Sequence, residues 1–284
     1  MARKLRPFLH MSFQLPGGVS AQAEKALWRR GILTWTDFRL RGCHLFSPQR
    51  TQRLLAAIEN AERQLANSKL REILRSAHPV WLLRLAPLLI SRAAFLDIET
   101  TGLAAADPPV TAVLLRQGTL HFFVAGINFN RLPDRLRRVR LLVTFYGRCF
   151  DLPRLKRYYK LRYRGVHLDL GLVARSCGFK GGLKNTLRQL GFSWPADLPQ
   201  SGCDAPKLWQ AYCQGDVGAL KRLLLYNAYD VIALPWLWAT LCHQSLKDWP
   251  LYRPIPVPPV VDVAGALDRW MLLTNPWPTL QNMG

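Results

Sequence analysis

Apolar positions along the chain follow two different rhythms, and the change falls near residue 91. Before it the rhythm is helical. Ala23, Ala26 and Leu27 follow a Leu-Pro-Gly turn, and Gly31 breaks the run. Thr36 before Asp37 reads as the cap of a further short helix. Leu54, Leu55, Ile58 and Leu65 then mark one face of an amphipathic helix over residues 48–76. From residue 93 short apolar runs take over: AAFLDI, VTAVLLRQ and TLHFFVAGI, the last two joined by a tight turn at GTL. The basic helix NRLPDRLRRV follows, then the buried strand RLLVTFY. A second basic helix, LPRLKRYYKL, carries Pro153 in its first turn, and VHLDL reads as another strand. Helices then run to about residue 243. Three strands, a helix, a strand, a helix, a strand and further helices make a mixed α/β order. The stretch YRPIPVPPVV is proline-rich and expected to be extended. The pattern therefore divides the chain into a basic helical region, 1–90, an α/β domain, 91–245, and a proline-rich tail, 246–284.

Charge adds a partner to this picture. The 284 residues hold 39 Lys+Arg against 18 Asp+Glu, a formal net charge of +21. Such an excess attracts polyanions, nucleic acid first among them. An anionic membrane surface is the competitor, but no long basic amphipathic helix or lipidation motif favours it. The most apolar stretch, VWLLRLAPLLI, is short and broken by Arg84 and Pro87, so no membrane span is expected. The start lacks the apolar core and cleavage site of a signal peptide, and none of the six cysteines forms a Cys-x-x-Cys pair. A cytoplasmic protein with reduced thiols fits these features. Residues 11–42 resemble a helix-hairpin-helix element, which grips phosphates with backbone N–H groups. Val19 stands where that element has its second glycine, and a plain helical cap on the next domain fits equally well.

Carboxylates are few, so their placement is informative. Asp97 and Glu99, in FLDIETTGL, are two apart at the end of an apolar strand and project from one face. A solvated strand end or a cation between them would each relieve their repulsion. Asp151, after the LLVTF strand, opens a helix and could simply cap it. Asp230 lies within the apolar helix LLLYNAYDVIAL, where burial is costly unless the group is paired or metal-bound. Tyr226, four residues earlier on the same helix face, could be that partner.

Taken together, DIE, FD and YNAYD, in this order and on these elements, resemble the motifs of the DEDD exonuclease superfamily. The resemblance spans roughly residues 91–245 and is strongest to YprB-like ribonuclease H-like proteins. It is carried by FLDIETTGL, VTFYGRCFDLPRL, HLDLGLVAR, LKNTLRQLGF and LLLYNAYDVIAL. It implies an α/β, ribonuclease H-like mixed sheet flanked by helices, preceded by a small helical domain. It also implies a 3′–5′ exonuclease in which Asp97, Glu99, Asp151 and Asp230 hold two Mg²⁺ or Mn²⁺ ions. Hard oxygen donors suit such ions, which stabilise both the attacking and the leaving oxygen of a phosphodiester. Tyr226 would position the attacking water. It also places the chain in the tyrosine class, because Leu225 stands where the histidine class has its histidine.

The implied substrate is the single-stranded 3′ end of DNA or RNA. Thr100, Gly102 and Leu103 form the turn expected to meet the terminal nucleotide, with Leu103 resembling an apolar wedge. Arg148, Arg154, Lys156 and Arg157 interleave with tyrosines that could stack on bases, while Lys184 could touch a phosphate or cap its helix. Tyr146 departs from the family, which has asparagine there. Asp169 reads as a supporting residue rather than a fifth ligand. Two rivals stay open: a nucleic-acid-binding module on a vestigial nuclease fold, and a structure-selective endonuclease.

Overall fold

The computed structural model describes residues 9–15, 17, 19–66, 82–85, 93–193, 204–247, 249–250, 252 and 261–276. The chain forms two compact units, 1–90 with 241–255, and 91–240 with 256–284.

In the first unit, helix α1, Ala21–Arg29, starts at Ser20, whose hydroxyl accepts the Ala23 N–H at 3.2 Å. A single helical turn, Trp35–Asp37, follows. Its cap is Thr34 and not the expected Thr36: Thr34 Oγ1 accepts the Asp37 N–H at 3.0 Å, and Asp37 Oδ2 accepts the Thr34 N–H at 2.9 Å. This reciprocal box satisfies two backbone donors, which Thr36 inside the turn could not do. Helix α2, Pro48–Ala66, buries Leu54, Ile58, Ala61 and Leu65, one stripe at helical spacing. The remainder of the helix expected to residue 76 lies outside the described residues.

A buried polar cluster stands among the apolar core residues of this unit. Glu24 of α1 is fully buried and ion-paired with buried Arg84. Glu24 Oε1 also accepts the Phe13 N–H at 2.7 Å, and Arg84 Nη1 donates to Ser12 Oγ at 2.6 Å. The guanidinium lies 5.2 Å from the Trp28 ring and 5.7 Å from that of Trp249. Two charges withdrawn from water are tolerated because each meets opposite charge and hydrogen-bonding partners.

The second unit is built on one five-stranded sheet. Its strands are β1, Ala94–Thr100; β2, Pro109–Arg116; β3, Thr119–Val124; β4, Leu141–Thr144; and β5, Val166–Asp169, in the order β3-β2-β1-β4-β5. β1, β2 and β3 form an antiparallel meander, while β4 and β5 run parallel to β1. The β2–β3 turn is Gln117-Gly118, with φ of 51° and 77°. Left-handed backbone at both positions matches the twist of the strands.

Helices α3, Leu132–Arg137; α4, Asp151–Tyr159; α5, Leu170–Ser176; α6, Leu183–Gln189; α7, Ala205–Cys213; and α8, Val217–Leu246, complete the layers. β1 sorts its side chains by alternation. Ala94, Leu96 and Ile98 join a core with Leu132 and Leu136 of α3 and Leu155 of α4. The opposite face meets α8: Phe95 packs edge-on against Trp238, ring centroids 6.1 Å apart, and Asp97 meets Asn227. In this unit α8 is apolar around most of its circumference because its residues are buried on several sides.

The segment expected as a tail contains helix α9, Val263–Thr274, capped by Asp262. Its Trp270 packs on Phe122 of β3, with ring centroids 6.0 Å apart. The proline run dominated the sequence pattern there and obscured the helical spacing beyond it. Most of that run, residues 253–260, lies outside the described residues.

The buried pair in the first unit can be tested directly. Glu24→Ala leaves the Arg84 charge buried without its partner and is expected to destabilise by about 3–5 kcal/mol. Urea unfolding followed by tryptophan fluorescence measures this; a loss below about 1 kcal/mol would mean the pair is not desolvated.

Candidate active site

The end of β1 brings the acidic residues together. Asp97 and Glu99 project from the same face, towards α8, which contributes Asp230. One ligand atom from each of these three lies within 4.8 Å of the other two. Asp151, at the start of α4, lies outside that trio but lines the same cleft. The cleft, about 240 Å³, is also lined by Thr100, Gly102, Leu103, Phe145, Tyr146, Phe150 and Tyr226. The Tyr226 hydroxyl hydrogen-bonds to the Asp230 carboxylate, one helical turn away. Asn227, which the sequence pattern did not single out, donates from Nδ2 to Asp97 Oδ2 at 2.6 Å. Its place between the two motif residues Tyr226 and Asp230 was the available signal.

A second set of contacts shapes the cleft mouth. Leu103 is 76% exposed at the tip of the turn after β1. Arg154 is buried, and its Nη2 donates to the carbonyls of Leu103 and Ala104 at 2.9 and 2.8 Å. The guanidinium also lies 3.7 Å from the Phe150 ring centroid. Arg157 and Tyr158 reach the next two carbonyls, Ala105 and Ala106. Arg154 thus holds the Leu103 turn, which departs from the expected phosphate contact on a solvent face. Periodicity marks Arg154 as a basic helix residue; only packing shows which way it points. Arg148, Lys156 and Arg157 are exposed.

Tyr146 stands in left-handed backbone with φ 57°, where asparagine sits more readily than a bulky residue. Asp169 stabilises this conformation. Its Oδ1 accepts the N–H groups of Tyr146 at 2.8 Å and Gly171 at 3.0 Å, while Oδ2 accepts that of Arg148 at 2.9 Å. A Cβ on Gly171 would stand 2.7 Å from the Tyr146 ring, so this glycine makes room for the tyrosine. Asp169 is therefore an anchor for the loop before Asp151.

Burial and crowding raise the carboxylate pKa values. Asp97 is pushed well up by desolvation and then by the charges of Asp230, Glu99 and Asp151. Glu99 is raised in the same way, chiefly by desolvation and Asp230. Burial lifts Asp151 and Asp230 to about 7, against hydrogen bonds to Asp151 and the Lys184 charge near Asp230. Tyr226 is also raised, by burial and the neighbouring carboxylates, and so keeps its proton. The Lys184 ammonium lies 3.8 Å from the Tyr226 ring centroid and is attracted by Asp230 and Glu99. Oδ1 of Asp151 and Oδ1 of Asp230 are buried and accept no hydrogen bond from the described residues. Hard oxygen donors, mutual repulsion and unsatisfied buried oxygens fit divalent cations.

The model of the RNase H superfamily matches residues 94–242, more than half of the chain, and the chain belongs to this superfamily. No curated protein matches it. Among solved structures it is similar to the family B DNA polymerase from the hyperthermophilic archaeon Pyrobaculum calidifontis, at 19% identity and a TM-score of 0.40. That match covers 64% of this chain and 28% of the polymerase chain. The five-stranded mixed sheet with flanking helices is thus a ribonuclease H-like fold with an acidic cluster at the end of its central strand. Among the described residues no helix is long and apolar enough to cross a membrane.

The raised pKa values fix a pH dependence. In the folded metal-free protein Asp230 titrates near 7, against 3.8 ordinarily, so between these limits the folded state binds more protons. Its contribution to stability is therefore full at low pH and is lost as pH rises through 7. In EDTA, Asp230→Asn is expected to melt above wild type at pH 8, by ~2–4 °C per kcal/mol relieved, with a smaller gap at pH 5. Mn²⁺ should raise the wild-type midpoint more at pH 8 than at pH 5. Equal midpoints at both pH values, with and without metal, would contradict this account.

Proposed function

We propose that the chain is a divalent-metal-dependent 3′–5′ exonuclease of the tyrosine DEDD class, hydrolysing DNA or RNA to nucleoside monophosphates. One observation carries the reading: Asp97, Glu99 and Asp230 converge within 4.8 Å, in a cleft shared with Asp151 and Tyr226, on a ribonuclease H-like sheet. The direction of attack and the product rest on the motif resemblance.

The four carboxylates would hold two cations, Mg²⁺ or Mn²⁺, which when bound stabilise negative charge on the attacking and leaving oxygens. Tyr226, protonated and hydrogen-bonded to Asp230, would orient the attacking water. Lys184 would place positive charge beside the incoming phosphate. Phe145, Tyr146, Phe150 and Leu103 line the cleft and give apolar or aromatic surface on which an unpaired terminal base can stack. This favours a single-stranded end. Arg148, Lys156 and Arg157 would attract the phosphate backbone at longer range.

The test is a panel of labelled single-stranded and duplex DNA and RNA with Mg²⁺ or Mn²⁺. Wild type should shorten 3′ ends stepwise and leave 3′-blocked and circular substrates intact. Tyr226→Phe should lower kcat by roughly 10²-fold or more with KM little changed. Asp97→Ala should abolish cleavage and keep most binding. Binding without cleavage by folded wild type would favour the vestigial module, and cutting of circles an endonuclease.

A further inference from the structure

Asn227 is fully buried on α8, between Tyr226 and Asp230. Its amide has two described partners. Nδ2 donates to Asp97 Oδ2 at 2.6 Å, and Oδ1 accepts the hydroxyl of Thr111 at 3.3 Å. Thr111 is fully buried on β2, directly opposite Glu99 in the strand register. The three side chains therefore form a line from the neighbouring strand, through the helix, back to the first carboxylate of the cluster.

We infer that Asn227 is a positioning residue that sets the Asp97 carboxylate for cation binding, with Thr111 fixing the orientation of its amide. This inference rests on the two-cation reading above. An amide has one acceptor end and one donor end. The Thr111 hydroxyl holds the acceptor end, which turns the N–H₂ towards Asp97. The reverse orientation would bring two oxygens together at the 2.6 Å contact. One Asp97 oxygen is committed to the amide, and the remaining lone pairs of the carboxylate stay available to a cation. A neutral donor achieves this without adding charge to a site already crowded with carboxylates. A lysine would place a competing cation there, and an aspartate a further anion.

The location of the amide matters as much as its chemistry. Asp97 belongs to β1, whereas Asp230 belongs to α8, three residues beyond Asn227 on the same helix face. The Asn227–Asp97 hydrogen bond thus ties the strand half of the cluster to the helix half. It holds the spacing on which a shared cation depends.

Mn²⁺ titration calorimetry on the full chain tests this, with melting curves in EDTA confirming that each variant folds. Wild type should bind. Asn227→Ala should bind ~10–100-fold more weakly. Thr111→Val, isosteric but without a hydroxyl, should weaken binding in the same direction by less, and Thr111→Ser should restore it. Because Thr111 acts through Asn227, the double variant should bind no worse than Asn227→Ala alone, which a general packing defect would not produce. If Asn227→Ala does not fold, the Thr111 pair decides. Wild-type affinity in Asn227→Ala, or in Thr111→Val when that pair decides, overturns the inference and leaves the two-cation reading standing. Fully additive losses overturn the relay through Thr111. Failure of wild type itself to bind Mn²⁺ overturns the two-cation reading and this inference with it.

Discussion

Four carboxylates crowd one cleft, and their mutual repulsion is the constraint that the neighbouring elements answer. Repulsion at such separations in a low-dielectric site is strong, and it pushes the acids towards their protonated forms unless positive charge arrives. The protein supplies part of that charge and hydrogen bonding itself. Lys184 stands near Asp230 and Glu99, Tyr226 bonds Asp230, and Asn227 bonds Asp97. None of these balances the whole negative charge. The negative charge left over is what the proposed cations would balance.

Convergence of the carboxylates depends on the rest of the fold. β1 carries Asp97 and Glu99 on the face opposite its apolar core residues, so the core packing of Leu96 and Ile98 fixes where the acids point. α8 lies along that face and anchors itself with Trp238 against Phe95. Asp151 arrives from a different direction, after β4, through a loop held by Asp169. Two hydrogen-bonding side chains, Asp169 and Arg154, therefore shape the cleft without lining it. One sets the loop before Asp151 and the other holds the turn bearing Leu103.

The strand alternation and the helical stripes were legible because burial on one face imposes a period that the sequence must carry. Asp97, Glu99 and Asp230 drew notice as acids in or at the end of apolar runs, whereas Asp151 and Tyr226 joined them only through the motif resemblance. The Thr34 cap, the direction of Arg154 and helix α9 were not. The cap turns on a local geometry that a neighbouring residue could also have satisfied, Arg154 on packing against a distant turn, and α9 on a helical spacing overshadowed by the proline run before it. Asn227 was hidden for a similar reason: a buried amide has no periodic signature, and its importance comes from a partner 130 residues away.

Taken by itself, then, the sequence determined most of the apolar core positions, the order of strands and helices in the α/β domain, and which few acids stand where acids are costly. Hydrophobic period and charge are local properties, so they survive in a linear string. The tertiary structure alone decided which of those acids meet, and how closely. It brought Asp97, Glu99 and Asp230 within 4.8 Å, set Asp151 across the same cleft and turned Arg154 inward. Those outcomes depend on long-range packing between β1, α4 and α8, where separation in space bears no relation to separation along the chain.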